Sequence, residues 1–247
     1  MSLILEMRGI RKSFGSVRAL NGADFCLKGA EIVALLGDNG AGKSTLIKIM
    51  SGLYSPDSGT YAIDGKIVSE GRFSVASARK AGIETVYQDK ALGDSQPLWR
   101  NLFVGRHLKN RFGLIDSERE RSISKSIIEN LGLSGAGISP DTPALSLSGG
   151  ERQGLAIGRA MYFHAKVVIL DEPTTALAVN EVEKVLAFVR SVKAEGRSAI
   201  IITHSIDHAW DLADRFVIMS HGKVFGEWSR EELTLESLFG RLREASL

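Results

Sequence analysis

A single cysteine, Cys26, stands in 247 residues, so an intramolecular disulfide is excluded and the chain suits a reducing compartment. Within Ala23-Asp-Phe-Cys-Leu27 it reads as a small core hydrophobe. No stretch approaches the roughly 18 apolar residues of a membrane span, and the opening Met-Ser-Leu-Ile-Leu-Glu6 is too short for a signal peptide. Attachment to a membrane is therefore expected to come through another protein. Neither sign of charge dominates, with 31 Lys and Arg against 29 Asp and Glu, which gives no electrostatic case for nucleic acid or anionic lipid as the main partner. Internal repeats, low-complexity tracts and a disordered tail are all lacking. What remains is a chain long enough for one unit of two lobes around a sizeable core.

The most informative segment present is Gly37-Asp38-Asn39-Gly40-Ala41-Gly42-Lys43-Ser44-Thr45, which follows the apolar run Ile32-Val-Ala-Leu-Leu36. Strand, glycine loop and helix start form the geometry that wraps a nucleoside triphosphate. Glycines at 37, 40 and 42 let backbone N–H groups turn inward on a β-phosphate where side chains would block the approach. Lys43 offers a point charge to the β/γ oxygens and Ser44 a hydroxyl to Mg²⁺. The phosphates then sit on the N-terminus of the helix opened by Ser44-Thr-Leu-Ile-Lys-Ile-Met50.

About 105 residues beyond Lys43 comes Leu145-Ser-Leu-Ser148-Gly149-Gly150-Glu151-Arg-Gln153, running into the apolar-periodic Leu155, Ala156, Ile157, Ala160 and Met161. A serine and two glycines at a helix start make a second anion site; as an isolated string they are equally a helix cap. Position separates the two readings. Immediately after that helix, Lys166-Val-Val-Ile-Leu170 reads as a buried parallel strand that delivers Asp171 and Glu172 at its carboxyl end, where open α/β sheets keep their ligands. Asp171 suits hydrated Mg²⁺, and Glu172 suits accepting a proton from an attacking water.

The remaining pattern is α/β. Leu3–Arg8, Val17–Leu27, Thr60–Ile63 and Ile67-Val68 read as strands, the last two joined by an Asp64-Gly65 hairpin turn. From about Asp89 to Met161 the pattern is helical. It is clearest over Asp116 to Leu131, where Ile123, Ile127, Ile128 and Leu131 share one face and Glu118, Arg119, Glu120, Lys125 and Glu129 the other. Gly132 to Pro143 reads as a loop. Asn180–Lys193 and Ile206–Ala213 follow as helices, with strands over Ala199–Ile202 and Phe216–Ser220.

The glycine loop, LSGGE, ILDEPT and a later Thr203-His204-Ser205 together resemble the ATP-binding subunit of an ABC transporter, in the family's order from Phe14 to about Gly226. That resemblance implies a P-loop NTPase core with an antiparallel β subdomain framing the base and an inserted helical subdomain. In a single domain over 1–247, residues 1–88 and 162–247 form the core and 89–161 the helical part. It implies ATP and Mg²⁺ as ligands. The working form is a head-to-tail dimer in which Ser148, Gly149, Gly150 and Glu151 of one copy close on the γ-phosphate bound by the other. Residue by residue, Phe14 matches the aromatic that stacks on adenine, with Val17 beside it in the nucleotide site. Gln88 matches the glutamine that touches Mg²⁺ and water, and His204 the histidine that contacts the γ-phosphate. His107, His164, His208 and His221 read as surface or structural.

Departures narrow the class. Ala178, in Thr174-Thr-Ala-Leu177-Ala178-Val-Asn-Glu181, replaces the aspartate usual there, which puts subunit-to-subunit signalling in doubt but not ATP binding. That segment and Asn101-Leu-Phe-Val-Gly105-Arg106 look like ATPases of bacterial monosaccharide importers, of the single-domain, fructose-type kind. About forty residues follow His204, which leaves no room for the regulatory domain of maltose-type relatives. The partners implied are a second copy, permease subunits on the cytoplasmic face of the membrane and, indirectly, a solute-binding protein. Import of an amino acid or nucleoside, or an ABC ATPase outside transport, are the alternatives. Trp99, between Pro97 and Arg100, is read either as an anchor for the permease or as packing within the helical part.

Overall fold

The computed structural model describes residues 2–68, 73–86, 92–133, 137–175 and 177–247. Two sheets carry the architecture. The smaller is antiparallel, in the order β2-β1-β4-β5, from β1 (Leu3–Phe14), β2 (Val17–Lys28), β4 (Ser58–Ile63) and β5 (Lys66–Ile67). The larger runs β10-β9-β3-β8-β7-β6, from β3 (Ile32–Leu36), β6 (Ile83–Val86), β7 (Val167–Asp171), β8 (Ser198–Ile202), β9 (Arg215–Ser220) and β10 (Lys223–Ser229). All its pairings are parallel except β9 with β10.

Every residue of β3 and β8 is buried, as expected for central strands covered on both faces. Alternation along β3 sends its residues to different layers. Val33 and Leu35 join Leu5, Leu20 and Phe25 of the small sheet and Leu46 and Ile47 of α1 (Lys43–Met50). Ile32 faces instead the layer built by α5 (Gly149–Tyr162) and α6 (Val179–Ala194) through Ile157, Ala160, Leu186 and Val189. Ala34 and Leu36 meet Phe216 and Ile218 under α7 (Ile206–Leu212) and α8 (Leu235–Ala245). Each fully buried aliphatic side chain in these layers contributes about 1.5–3 kcal/mol, so the sheet that carries the glycine loop is held from both sides.

A separate core gathers Leu98, Leu102 and Phe103 of α3 (Leu98–Phe103), Ile127 and Ile128 of α4 (Ser117–Asn130), and Leu155 of α5. The remaining helix, α2 (Val75–Lys80), packs beside β6 and is capped by Ser74, whose hydroxyl accepts from the Ser77 N–H. The hairpin turn expected at Asp64-Gly65 is present, with φ of 49° and 73° at its two central residues, the type I′ geometry.

Three readings need correction. Glu120, assigned to the solvated face of its helix, is fully buried. Its carboxylate accepts the Leu108 N–H at 2.6 Å and lies 3.1 Å from His107 Nδ1, because the loop that begins after α3 folds over α4 instead of leaving that face to water. Cys26 lies outside the core. Alternation in β2 buries Ala23, Phe25 and Leu27, and the intervening Cys26 points to the opposite, half-buried face, where partial burial raises its thiol pKa. The elements α2, β10 and α8 have no counterpart in the sequence reading, which also ended β1 at Arg8, six residues short of its observed end.

Candidate active site

The carboxyl ends of β3, β7 and β8 converge on one cavity of about 390 Å³. Its wall includes Val17, Asp38 to Thr45, Asp171, Glu172 and His204, so most of the residues singled out for phosphate chemistry meet there. Arg18, Ala19 and Ile202 also line it and were not foreseen.

The loop reaches its shape through close backbone approach. Gly42 caps α1 with φ of 104°, and a Cβ there would lie 2.7 Å from the Ala19 carbonyl oxygen. A left-handed φ and that approach together exclude any side chain. The turn between β9 and β10 braces the far side, since the Gly222 N–H donates to the Ala41 carbonyl at 3.0 Å. Lys43 is buried, and its Nζ donates to the carbonyls of Gly37 at 2.6 Å and Asp38 at 2.9 Å. Burial lowers its pKa, opposed by the charges of Glu172, Asp38 and Asp171. An ammonium in that position gains from any added anion, because its desolvation is only partly offset by carbonyls.

Glu172 follows β7 in the left-handed region, with φ of 51°. For a non-glycine residue this is a strained conformation of the kind that collects at functional sites. It is held by the Glu172 N–H donating to Ile202 O at 2.8 Å. Its Oε2 accepts from Thr175 Oγ1 at 3.0 Å and from the His204 N–H at 3.4 Å. Its Oε1 lies 3.5 Å from His204 Nε2, and it is buried with no protein hydrogen bond. One oxygen is thus fixed by two donors, and the other is a buried acceptor beside His204 Nε2 with no hydrogen bond of its own, in a residue of the cavity wall. His204 itself is more than half exposed. Thr175 is a contributor the sequence reading missed; its spacing three residues after Glu172 was the available signal. The Thr174 hydroxyl, 3.0 Å from His208 Nδ1, gives that histidine a structural partner.

For a divalent cation the wall offers the hydroxyls of Ser44 and Thr45 and the carboxylates of Asp38, Asp171 and Glu172, of which Ser44 and Asp171 are the expected holders. Among the described residues no group of three His, Cys, Asp or Glu could hold a metal. Hydroxyl and carboxylate oxygens without such a cluster fit Mg²⁺, which keeps several waters and takes its other oxygens from phosphates, and do not fit a metal needing a protein cage. Gln88 lies outside the described residues. Phe14 ends β1, is 44 % exposed, and meets Tyr54 edge-on at 5.3 Å between ring centres. The Lys12 Nζ lies 5.6 Å from the centre of its ring, and Phe14 belongs to no core and does not line the cavity.

Ser148, Gly149, Gly150 and Glu151 do not line this cavity. They open α5 with a complete capping box. Glu151 Oε2 accepts the Ser148 N–H at 2.8 Å, and the Ser148 hydroxyl accepts the Glu151 N–H at 3.3 Å. The cap reading is the one observed; capping uses the acceptor side of the hydroxyl and leaves its proton for another acceptor. The two glycines also answer a packing need inside the chain. A Cβ at Gly149 would fall 2.4 Å from Leu177 Cδ2, and one at Gly150 2.7 Å from Glu181 Cβ. Hydrogen bonds from the Ser148 side chain, then from the N–H groups of Ala178 and Gly150, hold the Glu181 carboxyl below the usual carboxylate range. Trp99 is buried at 5 %, with the guanidinium groups of Arg121 and Arg100 at 4.7 and 5.2 Å from its ring. The packing reading of this residue is the one observed.

Residues 20–175 match the model of the family described as ABC transporter. The chain is 42 % identical over 238 residues to the xylose/arabinose import ATP-binding protein XylG of Sulfolobus acidocaldarius, covering 96 % of this chain and 93 % of that one. It is 40 % identical to the fructose import ATP-binding protein FrcA of Rhizobium meliloti, over 89 % and 86 % of the two chains. Against the ribose import ATP-binding protein RbsA 1 of Agrobacterium fabrum it is 37 % identical over 90 % of its own length, but spans only 43 % of that relative. Among solved structures, the ADP conformation of MJ1267, an ATP-binding cassette of an ABC transporter, superposes with a TM-score of 0.84 at 25 % identity, covering 100 % and 99 % of the chains.

Proposed function

The chain belongs to the ABC transporter family, and from that premise we propose that it is the ATP-hydrolysing subunit that energises import of a monosaccharide through a membrane permease. The observation that carries this reading is the strained Glu172, one oxygen pinned and the other without a hydrogen bond, in the wall of the same cavity as the glycine loop and Lys43. Sugar as the class of solute is supported by relatives named for xylose/arabinose, fructose and ribose import.

In this reading the N–H groups of Gly37 to Thr45 and the positive end of α1 hold the phosphates, and Lys43 turns from its carbonyls to their oxygens. Ser44 and Asp171, with Gln88, would hold Mg²⁺, which would supply positive charge to offset that of the phosphates. Glu172 Oε1 accepts the proton of the water whose oxygen bonds to the γ-phosphorus. The bond from that phosphorus to the bridging oxygen breaks, and ADP leaves with the electron pair. His204 stands beside the γ-phosphate and also fixes Glu172 through its backbone. Phe14 stacks on adenine, with Val17 at its edge. Ser148, Gly149 and Gly150 come from a second, head-to-tail copy, Glu151 serving as their cap. Residues 1–88 and 162–247 act as the nucleotide-binding core and 89–161 as the helical subdomain toward the permease. Among the described residues no helix is long and apolar enough to cross a membrane. In this reading the subunit sits on the cytoplasmic face through its permease, and a solute-binding protein acts on it only indirectly.

The test is reconstitution with a sugar-importer permease that binds the chain and with the matching solute-binding protein. ATP hydrolysis should rise on adding a pentose or hexose and stay flat with amino acids or nucleosides. Stimulation by one of the latter alone would move the solute out of the sugar class.

A further inference from the structure

We propose that the Glu181 carboxylate is a resident anion on the Ser148–Gly150 segment, occupying the donors that the γ-phosphate of the opposing copy must take, so that closure of the ATP sandwich requires Glu181 to withdraw. This rests on the reading above that Ser148–Gly150 of one copy meets the nucleotide of the other.

The start of α5 offers a small set of outward donors: the Ser148 hydroxyl proton and the first N–H groups of the helix, at its positive dipole end. The Ser148 oxygen already accepts the Glu151 N–H, so its proton is its remaining resource. The Glu181 carboxylate stands over these donors: its Oε2 accepts the Ala178 N–H at 3.1 Å and lies 3.8 Å from where a Gly149 Cβ would be, and the Ser148 side chain and Gly150 N–H favour its charged form. A carboxylate reaching across from α6 thus satisfies two helix N-termini at once. Ala178, with no side-chain acceptor, leaves this bridging to Glu181 alone.

Space reinforces the exclusion. The Gly149 Cβ position lies 3.8 Å from Glu181 Oε2, and that of Gly150 lies 2.7 Å from Glu181 Cβ, so the carboxylate rests directly on the double glycine. A phosphate and a carboxylate cannot share those donors, and two like charges at hydrogen-bond range repel strongly. Withdrawal is nevertheless easy. Glu181 is only partly buried, and Lys184, one turn along α6, already interacts with it and offers an exposed partner at i+3. The contact therefore raises the ATP threshold for pairing without locking the subunits apart.

The experiment uses the full chain carrying Glu172→Gln, so that ATP-bound pairs accumulate, and reads dimer fraction by light scattering across a Mg-ATP titration. Adding Glu181→Ala should lower the ATP concentration for half-dimerisation about five- to tenfold. Glu181→Gln keeps an acceptor for the Ala178 N–H but drops the charge, and should lower it by a smaller factor with an unchanged melting temperature. If the alanine variant fails to fold, the glutamine variant carries the test alone. An unchanged or raised midpoint in the folded variants overturns the proposal and makes Glu181 a support for Ser148. A Glu172→Gln chain that stays monomeric at all ATP concentrations, before Glu181 is touched, removes the sandwich reading and this inference with it.

Discussion

Glu172→Gln separates binding from chemistry, and the structure gives its direction in detail. The carboxylate receives two donors on Oε2, from Thr175 Oγ1 and the His204 N–H. A glutamine must turn its carbonyl to that side, because its NH₂ would there face donors. The NH₂ then replaces Oε1, and the buried acceptor beside His204 becomes a donor that can take no proton from water. Backbone strain at φ of 51° and the bond from the Glu172 N–H to Ile202 O are untouched, so the melting temperature should stay within about 2 °C, as for a change of about 0.5 kcal/mol or less. Loss of a general base costs about 10²- to 10⁴-fold in rate, equivalent to about 3–5 kcal/mol of barrier at about 1.36 kcal/mol per decade. Phosphate release measures the rate, and titration with a fluorescent ATP analogue measures affinity. Lost hydrolysis at retained affinity is the expected pair of results. Turnover within a factor of two of the unmodified chain would refute the role given to Glu172.

Two further outcomes follow from the same geometry. Phe14→Ala should weaken ATP affinity by about 1–2 kcal/mol if its exposed ring stacks on the base, while Phe14→Tyr should be nearly silent in the same titration; unchanged affinity in the alanine variant would leave Phe14 as a contact of Tyr54 and Lys12. Trp99→Ala should unfold or soften the helical part, lowering stability by about 3–5 kcal/mol in denaturant melts because the ring is buried between two guanidinium groups; a fully stable variant that loses only permease binding would restore the surface-anchor reading.

The sequence was most legible where one pattern had one cause. Continuous apolar runs marked β3, β7 and β8, since strands buried on both faces need nothing else, and a strand end followed by glycines or carboxylates placed the chemistry. Glu120 was misread because periodicity describes a helix's own faces and carries no trace of a loop folded over one of them. Cys26 was recoverable: with Phe25 and Leu27 inward, the parity of β2 already turns position 26 outward. The strand β10 alternates weakly between exposed and half-buried residues, so its pattern is faint. Glu181 escaped notice because it acts from α6 on α5, and nothing in Ala178-Val-Asn-Glu181 declares the partner across the gap.

The central claim is that each ATP site is shared between two copies, with Lys43 from one and Ser148 from the other. Mixing settles it most directly. Lys43→Ala and Ser148→Arg chains, each inactive alone, are combined in equal amounts and assayed for ATP hydrolysis. A head-to-tail pair of one of each contains one site with both residues intact, so random pairing should restore up to about a quarter of the activity of the unmodified chain. If both residues instead served the same site within one chain, the mixture would stay as inactive as its parts, and that result would contradict the account.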